Sequence, residues 1–504
     1  MSKKILLFLT NDYTHYCLSY AFQKKYDHKL YAISEVTSTP RKFFENQEFV
    51  RYEKLSFFHD HIKKKNTPPD MEYLKKFEDK YGINLWKLVQ NERIFLYYKN
   101  FHKFSNDEIL NILEQECRFL EDTLEEIKPD YFFTKMPSLH HQELIFQMCK
   151  SMGIKVIAMN FTLLAQKCML SQDNSELDFH TIQNIPDEKI MSFDEIQNEL
   201  KTSSLVKQLD TKLVIPQNSL LNKINSMFEY VLKFESNNTK THYTYYGRSK
   251  KKVLFYYIID FLRNKKRKKF IEKNLIKDSK FSEPFVYFPL HMEMERTTLI
   301  GAPYFINQIE IIRSVAKSLP IDFKLYVKEH PGQILRGWHS EKEYEEIMNI
   351  PNVRLFHPDI PNDVLYKNCS VVFTIAGTAG FEAACYEKPS VTMVRLNYSD
   401  LPSVTLLDNF SELHDLFKIK LKEKVFAKDV SKFLNLFKAN VSNFDWANFS
   451  KKLSEEFFVN NTQDAHISND KMGSFLKENY HILEDFADEH FKKIQFFEKG
   501  KNSN

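Results

Sequence analysis

The stretch from Tyr287 to Met393 constrains the chain more than any other. It reads Tyr-Phe-Pro-Leu-His at 287–291, Leu-Tyr-Val-Lys-Glu-His-Pro-Gly at 325–332 and Val-Phe-Thr-Ile-Ala-Gly-Thr-Ala-Gly-Phe-Glu-Ala-Ala at 372–384, with Glu-Lys-Pro-Ser-Val-Thr-Met at 387–393. Each polar or glycine-bearing cluster follows an apolar run of buried-strand length. Open α/β sheets bind ligands just beyond the carboxyl ends of their strands. Three such ends in one segment of about a hundred residues point to one site, with chemistry suited to a phosphorylated ligand.

The alternation extends beyond this segment. Lys4 to Thr10 and Lys29 to Ser34 read as strands around a helical pattern from His15 to Lys25, the opening of a doubly wound domain. No Gly-x-Gly-x-x-Gly turn joins them, so no dinucleotide site is expected. Helical spacing covers Leu85 to Phe101 and Asp107 to Ile127, with Ser105 or Asn106 as N-cap. Tyr131 to Thr134 and Lys155 to Met159 read as strands around a helix from His140 to Met152, which Gly153 closes. Residues 170 to 280 are less regular, with helices expected over Leu220 to Lys233 and Leu254 to Asn274. Strands then follow at Phe285–Phe288, Lys324–Val327, Val353–Phe356, Val371–Ile375 and Ser390–Met393. The helices between them are Tyr304–Ser318, Glu341–Met348, Pro361–Lys367 and Ala379–Tyr386. Val430 to Phe497 reads as helical with a break near Gly473, and the last residues as disordered. The expected organisation is a Rossmann-like domain over 1–170, an irregular helical excursion over 171–280, a second Rossmann-like domain over 281–425, and a helical tail over 426–504.

A chain of 504 residues is too long for one ordinary core. Hydrophobic residues at 43% and charged residues at 27% exclude a disordered chain. The formal net charge of +4 excludes a polycation, and no nucleic-acid partner is expected. The basic residues are nonetheless uneven: Lys250, Lys251 and Lys252 precede an apolar run, and Arg263, Lys265, Lys266, Arg267, Lys268 and Lys269 follow it. Such a patch suits an anionic membrane face or an acidic polymer, or is simply a solvated helix face. The six cysteines form no Cys-x-x-Cys pair and read as reduced thiols of a cytoplasmic protein, without disulfides or zinc. No run reaches membrane-spanning length.

The candidate site residues follow from the strand ends. Thr374, Gly377, Thr378 and Gly380 form a turn through which backbone can approach a phosphate, with Thr378 as helix cap or phosphate donor. Glu382 is placed to accept from sugar hydroxyls. Lys328, His330 and Pro331 put a fixed charge and a titratable imidazole at a neighbouring strand end. His291 ends the preceding strand and leads to Glu293, Glu295 and Arg296, with Gln308 on the next helix. Asp12, past the first strand, is either a catalytic carboxylate or an Asx turn. His140 and His141 either line the same cleft or sit at a solvated helix start.

These residues carry a resemblance. Pro289-Leu290-His291 with Glu295, Lys328 to Pro331, Asn352-Val353, and Gly377 to Ala383 with Lys388-Pro389 resemble bacterial capsule and surface-polysaccharide biosynthesis proteins of GT-B type. The capsule β-Kdo transferases belong to that group. The resemblance spans about 285 to 405, roughly a quarter of the chain. It implies two facing Rossmann-like domains, with a nucleotide-sugar held mainly by the C-terminal one. In Kdo and sialic acid transferases a His-Pro motif and a hydroxyl-bearing glycine turn hold the CMP phosphate, which implies that role for His330 with Pro331 and for Thr378 with Gly377 and Gly380. Met294 stands where the resemblance leads one to expect proline before Glu295.

The resulting expectation is a cytoplasmic, metal-independent GT-B glycosyltransferase, peripheral at the inner membrane face and free of cofactor. It would move a sugar from a nucleotide donor, CMP-linked in the leading reading, to a glycan or glycolipid acceptor. Asp12, Glu295 and His330 are the catalytic candidates. His291, Lys328, His330, Pro331, Thr374, Gly377, Thr378, Gly380 and Glu382 are the donor-binding ones. A sugar-nucleotide epimerase and a non-catalytic glycan-assembly protein are the alternatives.

Overall fold

The structure is a computed structural model. It describes residues 2–96, 100–162, 167–173, 175–178, 190–203, 242–458 and 466–501. The helix expected over Leu220 to Lys233 lies outside them. Two compact units emerge: Met1–Asp173 with Ile215–Leu254 and Val441–Asn504, and Asn174–Val214 with Phe255–Asn440.

In chain order the strands are β1 (Lys4–Leu9), β2 (Lys29–Ser34), β3 (Lys54–Phe57), β4 (Tyr131–Lys135), β5 (Lys155–Phe161) and β6 (Lys167–Ser171). Then come β7 (Phe285–Pro289), β8 (Lys324–Lys328), β9 (Val353–Phe356), β10 (Val371–Thr374), β11 (Ser390–Thr392) and β12 (Val404–Leu406), and finally β13 (Val441–Asp445). The first sheet has the order β13-β6-β5-β4-β1-β2-β3 and the second β12-β11-β10-β7-β8-β9. The second sheet is parallel throughout. In the first, β1 to β5 are parallel, and β6 and β13 are antiparallel. Each sheet reverses its strand order once, between β1 and β4 and between β7 and β10. Those two points are where doubly wound sheets open a crevice for ligands.

The strand sequences explain this arrangement. Ile5 to Leu9 and Val371 to Phe373 are buried without alternation, as expected for parallel strands with helices on both faces. Two doubly wound α/β units with added C-terminal helices constitute the GT-B class of architecture. Local signals set several helix ends. Ser105 and Glu108 form a capping box at the start of Asn106–Ile127, and Ser340 and Glu343 do the same for Glu341–Met348. Gly153, at φ 72°, follows His140–Ser151 as the left-handed terminator.

Several elements differ from the sequence reading. Of the helix expected over Leu85 to Phe101, the described residues form two short helices, Leu85–Val89 and Arg93–Leu96, and 97–99 lie outside them. The buried Glu92 carboxylate accepts the N–H groups of Ile94 and His140, at 3.1 and 2.9 Å, and so competes with helix continuation. The helix expected from Tyr304 begins at Gln308, because the Asn307 side chain caps it. Gly473 is buried inside helix Asn469–Glu478, and the chain breaks at Asn479 instead. The C-terminal segment is not helical throughout: β13 adds a strand to the first sheet, and helix Tyr480–Lys501 extends past the point expected to fray. All six cysteines are buried and unpaired.

Candidate functional site

In the second unit, β7 carries the chain to His291 at the switch point. The Gln308 side chain accepts the His291 N–H at 2.7 Å and donates to its carbonyl at 3.0 Å, which fixes the loop. The His291 ring is nearly enclosed. Its Nε2 accepts the Ala376 N–H at 3.2 Å and lies 3.4 Å from Thr374 Oγ1. An accepting Nε2 assigns the proton to Nδ1, and Nδ1 has no hydrogen-bond partner among the described residues. Burial, with His330 nearby, pushes His291 down to about 4 against the Gln308 side chain, which raises it. The ring is therefore neutral and holds a buried N–H donor in need of an acceptor, which a ligand oxygen would satisfy.

β8 leads to the second loop. The Gly332 N–H donates to His330 Nδ1 at 3.0 Å, which puts the His330 proton on Nε2. Glu329 is fully buried. It accepts from the His330 N–H at 2.7 Å, from His339 Nδ1 at 2.8 Å and from the Tyr344 hydroxyl at 2.5 Å. His339 Nε2 also lies 3.2 Å from Glu293. Burial alone would lower His339, but Glu293 and Glu329 outweigh it and push it up to about 10. An imidazolium thus sits between two carboxylates beneath the His330 loop. Gln333 accepts the Glu293 N–H at 2.9 Å, tying the loops after β7 and β8 together.

The glycine turn follows β10. The Gly377 N–H donates to Thr374 Oγ1 at 3.2 Å, and the Tyr398 hydroxyl donates to the Gly377 carbonyl. A Cβ at Gly377 would lie 2.9 Å from Thr374 Oγ1 and 3.1 Å from His291 Nε2. A Cβ at Gly380 would lie 2.7 Å from the Tyr398 hydroxyl. Close approach therefore demands glycine at both positions. Thr378 does not cap helix Ala379–Cys385; its hydroxyl donates to Glu382 Oε1 at 2.7 Å. Burial and the Glu382 charge hold the Tyr287 and Tyr366 phenols well above their usual range. Lys328 Nζ donates to Asn362 Oδ1 at 2.5 Å, and the same oxygen takes the Tyr287 hydroxyl at 3.2 Å.

The second unit thus brings His291, His330, Thr374 and Gly377 together and pairs Thr378 with Glu382, while Lys328 is turned to Asn362. Pro331 opens the short turn after His330. Glu295 precedes helix Arg296–Leu299 and accepts the Thr298 N–H through its carbonyl at 3.2 Å. Met294 before it has φ 57°, a left-handed conformation that costs energy for a residue with a Cβ. His339, Tyr344, Asn362 and Tyr398 escaped the sequence reading, because they reach the site from elements with no motif of their own.

In the first unit, Asp12, in the turn after β1, and Lys135, the last residue of β4, form an ion pair at the switch point. Asp12 also accepts the Thr14 N–H at 3.0 Å, so the Asx turn is present. Lys135 Nζ stands 5.5 Å from the Trp446 ring. His140 and His141 do not form a solvated helix start: they are 2% and 1% exposed. His140 lies 2.9 Å from both Glu92 and Glu116, and His141 3.0 Å from Glu35.

No curated protein matches the chain. Similar solved structures include a UDP-GlcNAc 2-epimerase from Methanocaldococcus jannaschii, with 14% identity over 86% of this chain and 99% of that one and a TM-score of 0.23. A glycosyltransferase from Rickettsia africae ESF-5 shares 11% identity over 90% of this chain and 98% of that one, with a TM-score of 0.26. At these scores the likeness adds nothing to the architecture already read from the two sheets. The sequence match is more pointed, since it covers every candidate residue of the second unit from His291 to Glu382. Over residues 197–431 this chain matches the family of capsule polysaccharide biosynthesis proteins.

Proposed function

We propose that the chain is a glycosyltransferase of capsule or surface-polysaccharide synthesis whose second unit holds a nucleotide-sugar donor. The observation that carries this reading is His291: a neutral, buried imidazole whose Nδ1–H has no hydrogen-bond acceptor among the described residues, fixed at the β7/β10 switch point beside the Gly377 turn. A diphosphate or monophosphate oxygen supplies that acceptor. His330, with its proton on Nε2, gives a second donor from the neighbouring strand end. Donors held in a buried frame stabilise charge as it develops on the departing phosphate. Thr378 and Glu382 offer a hydroxyl and a carboxylate to ribose or sugar. Asp12, held beside Lys135, or Glu295 takes the proton from the acceptor hydroxyl. The donor is a CMP-linked acidic sugar, and the acceptor a growing glycan or glycolipid.

The family match over 197–431 supports this reading. A thermal-shift series with CMP, UDP, GDP and ADP tests it, because a ligand that binds the folded state raises the melting point by mass action. A shift with CMP that is lost in His330→Ala is expected. A shift with UDP alone transfers the proposal to another donor class or to epimerisation, which turnover without acceptor would reveal. No shift with any nucleotide removes it.

The same protein would work at an anionic membrane face. Helix Lys250–Asn274 carries both basic clusters and exposes Phe255, Ile258 and Leu262 at 59, 51 and 58%. Their spacing puts these apolar residues on one side of the helix. Apolar side chains between basic groups suit a surface-lying helix on anionic lipid. No helix among the described residues is long and apolar enough to cross a membrane.

A further inference from the structure

The polar cluster around His140 and His141 has no place in the donor site, which lies in the second unit. It gathers at the carboxyl ends of three first-unit strands: Glu35 follows β2, His59 follows β3, and His140 and His141 follow β4. Glu116 reaches it from helix Asn106–Ile127 and is fully buried. Donor atoms of Glu116, His140 and His141 all lie within 4.8 Å of one another.

We infer that Glu116, His140 and His141 form a binding site for a divalent first-row transition cation, zinc being the first choice for this donor set. His141 has one nitrogen held by an outer carboxylate and the other without a partner among the described residues, whereas His140 has both nitrogens on carboxylates, so a metal would take the place of the proton it shares with Glu116. His140 Nδ1 is 2.9 Å from Glu92, and its Nε2 is 2.9 Å from Glu116. His141 Nε2 is 3.0 Å from Glu35, and its Nδ1 is buried without a hydrogen-bond partner among the described residues. Metal-binding histidines characteristically donate their second N–H to a carboxylate in this way, which fixes tautomer and ring direction. The outer groups are themselves held. Glu92 accepts the Ile94 and His140 N–H groups, and Gln142 donates to Glu35 at 2.9 Å. Tyr243 donates to the other oxygen of Glu116 at 3.1 Å.

Two further imidazoles stand beside the cluster with the same deficiency. His59 Nδ1 and His242 Nε2 are buried and partnerless among the described residues, and the His59 ring centre is 6.1 Å from that of His141. A buried polar atom without a partner is costly, and several together call for a shared ligand. Two nitrogens and one carboxylate oxygen suit zinc and fill three of its four usual positions. Charge agrees: Glu35, Glu92 and Glu116 bring three carboxylates into a largely enclosed space, and a dication offsets them.

The test is metal content and metal-linked stability of the untagged full chain. Protein stripped with a chelator is titrated with Zn²⁺ alone and with Co²⁺ alone, followed by elemental analysis after desalting, by melting point and by the visible absorption of Co²⁺. About one retained equivalent per chain and a raised melting point are expected. Glu116→Gln and His141→Phe should lose the retained metal. His330→Ala, in the donor site, should keep it. Because the wild-type protein alone decides stoichiometry, misfolding of a variant leaves the test intact. No retained metal in the wild type overturns the inference and leaves a buried imidazole–carboxylate network in its place. Retention in both folded variants overturns the assignment to these residues. Neither result touches the nucleotide reading, which the nucleotide shifts decide separately.

Discussion

Gly377 is where a single methyl group probes the proposed donor site. Its Cβ would crowd both Thr374 Oγ1 and His291 Nε2, neither of which is the free end of a flexible chain. Gly377→Ala should therefore cost about 1–3 kcal/mol by overpacking and abolish the nucleotide-induced melting shift. A variant that binds nucleotide as tightly as wild type would remove His291 from the site. His339 makes a prediction about pH. Its folded value near 10 stands above the ordinary histidine value, so its contribution to stability is complete below about 6.5 and is lost as pH rises through 10. Urea unfolding at pH 6, 8 and 10 should show that decline, and His339→Gln should flatten it. Of these residues, His291, His330 and Gly377 were legible in sequence because each ends an apolar run. His339 was not: its role depends on Glu293 and Glu329, which lie far from one another along the chain.

Among the elements, helix Asn106–Ile127 was legible almost to the residue, since its cap and its apolar spacing agree. Ser105→Ala should destabilise the first unit by about 1 kcal/mol through loss of the capping box, measurable by urea melts. Helix Leu85 to Phe101 misled for the converse reason: its spacing is helical, but Glu92 is drawn to His140, 48 positions away. Helix Lys250–Asn274 combines two readable features, charge and an apolar stripe. Phe255→Glu with Leu262→Glu should reduce co-sedimentation with phosphatidylserine vesicles at least several-fold, and neutral vesicles should bind neither protein. Equal binding of the variant and wild type would reduce the basic clusters to a solvated face.

On the scale of the whole molecule, the C-terminal segment belongs to the first core. Helix Tyr480–Lys501 packs on helix Thr14–Lys25, where Lys25 and Tyr26 reach Asp488, and Tyr26 stacks on Phe491 with ring centres 4.1 Å apart. Phe486 is fully buried and stacks on Phe444 of β13 at 3.8 Å. Phe486→Ala should cost about 3–5 kcal/mol in the first unit. Deletion of residues 441–501 should leave that unit unable to fold cooperatively, as read by calorimetry. The sequence by itself determined the two alternations of strand and helix, the strand ends carrying His291, His330 and the Gly377 turn, and the main helix caps. These follow from apolar periodicity and from contacts a few residues long. Only the tertiary structure decided strand order, the return of β13 to the first sheet, the His339 imidazolium between two carboxylates, and the meeting of Glu116 with His140 and His141. Each of those joins residues distant in sequence, where burial and partner geometry, rather than local propensity, set the energy.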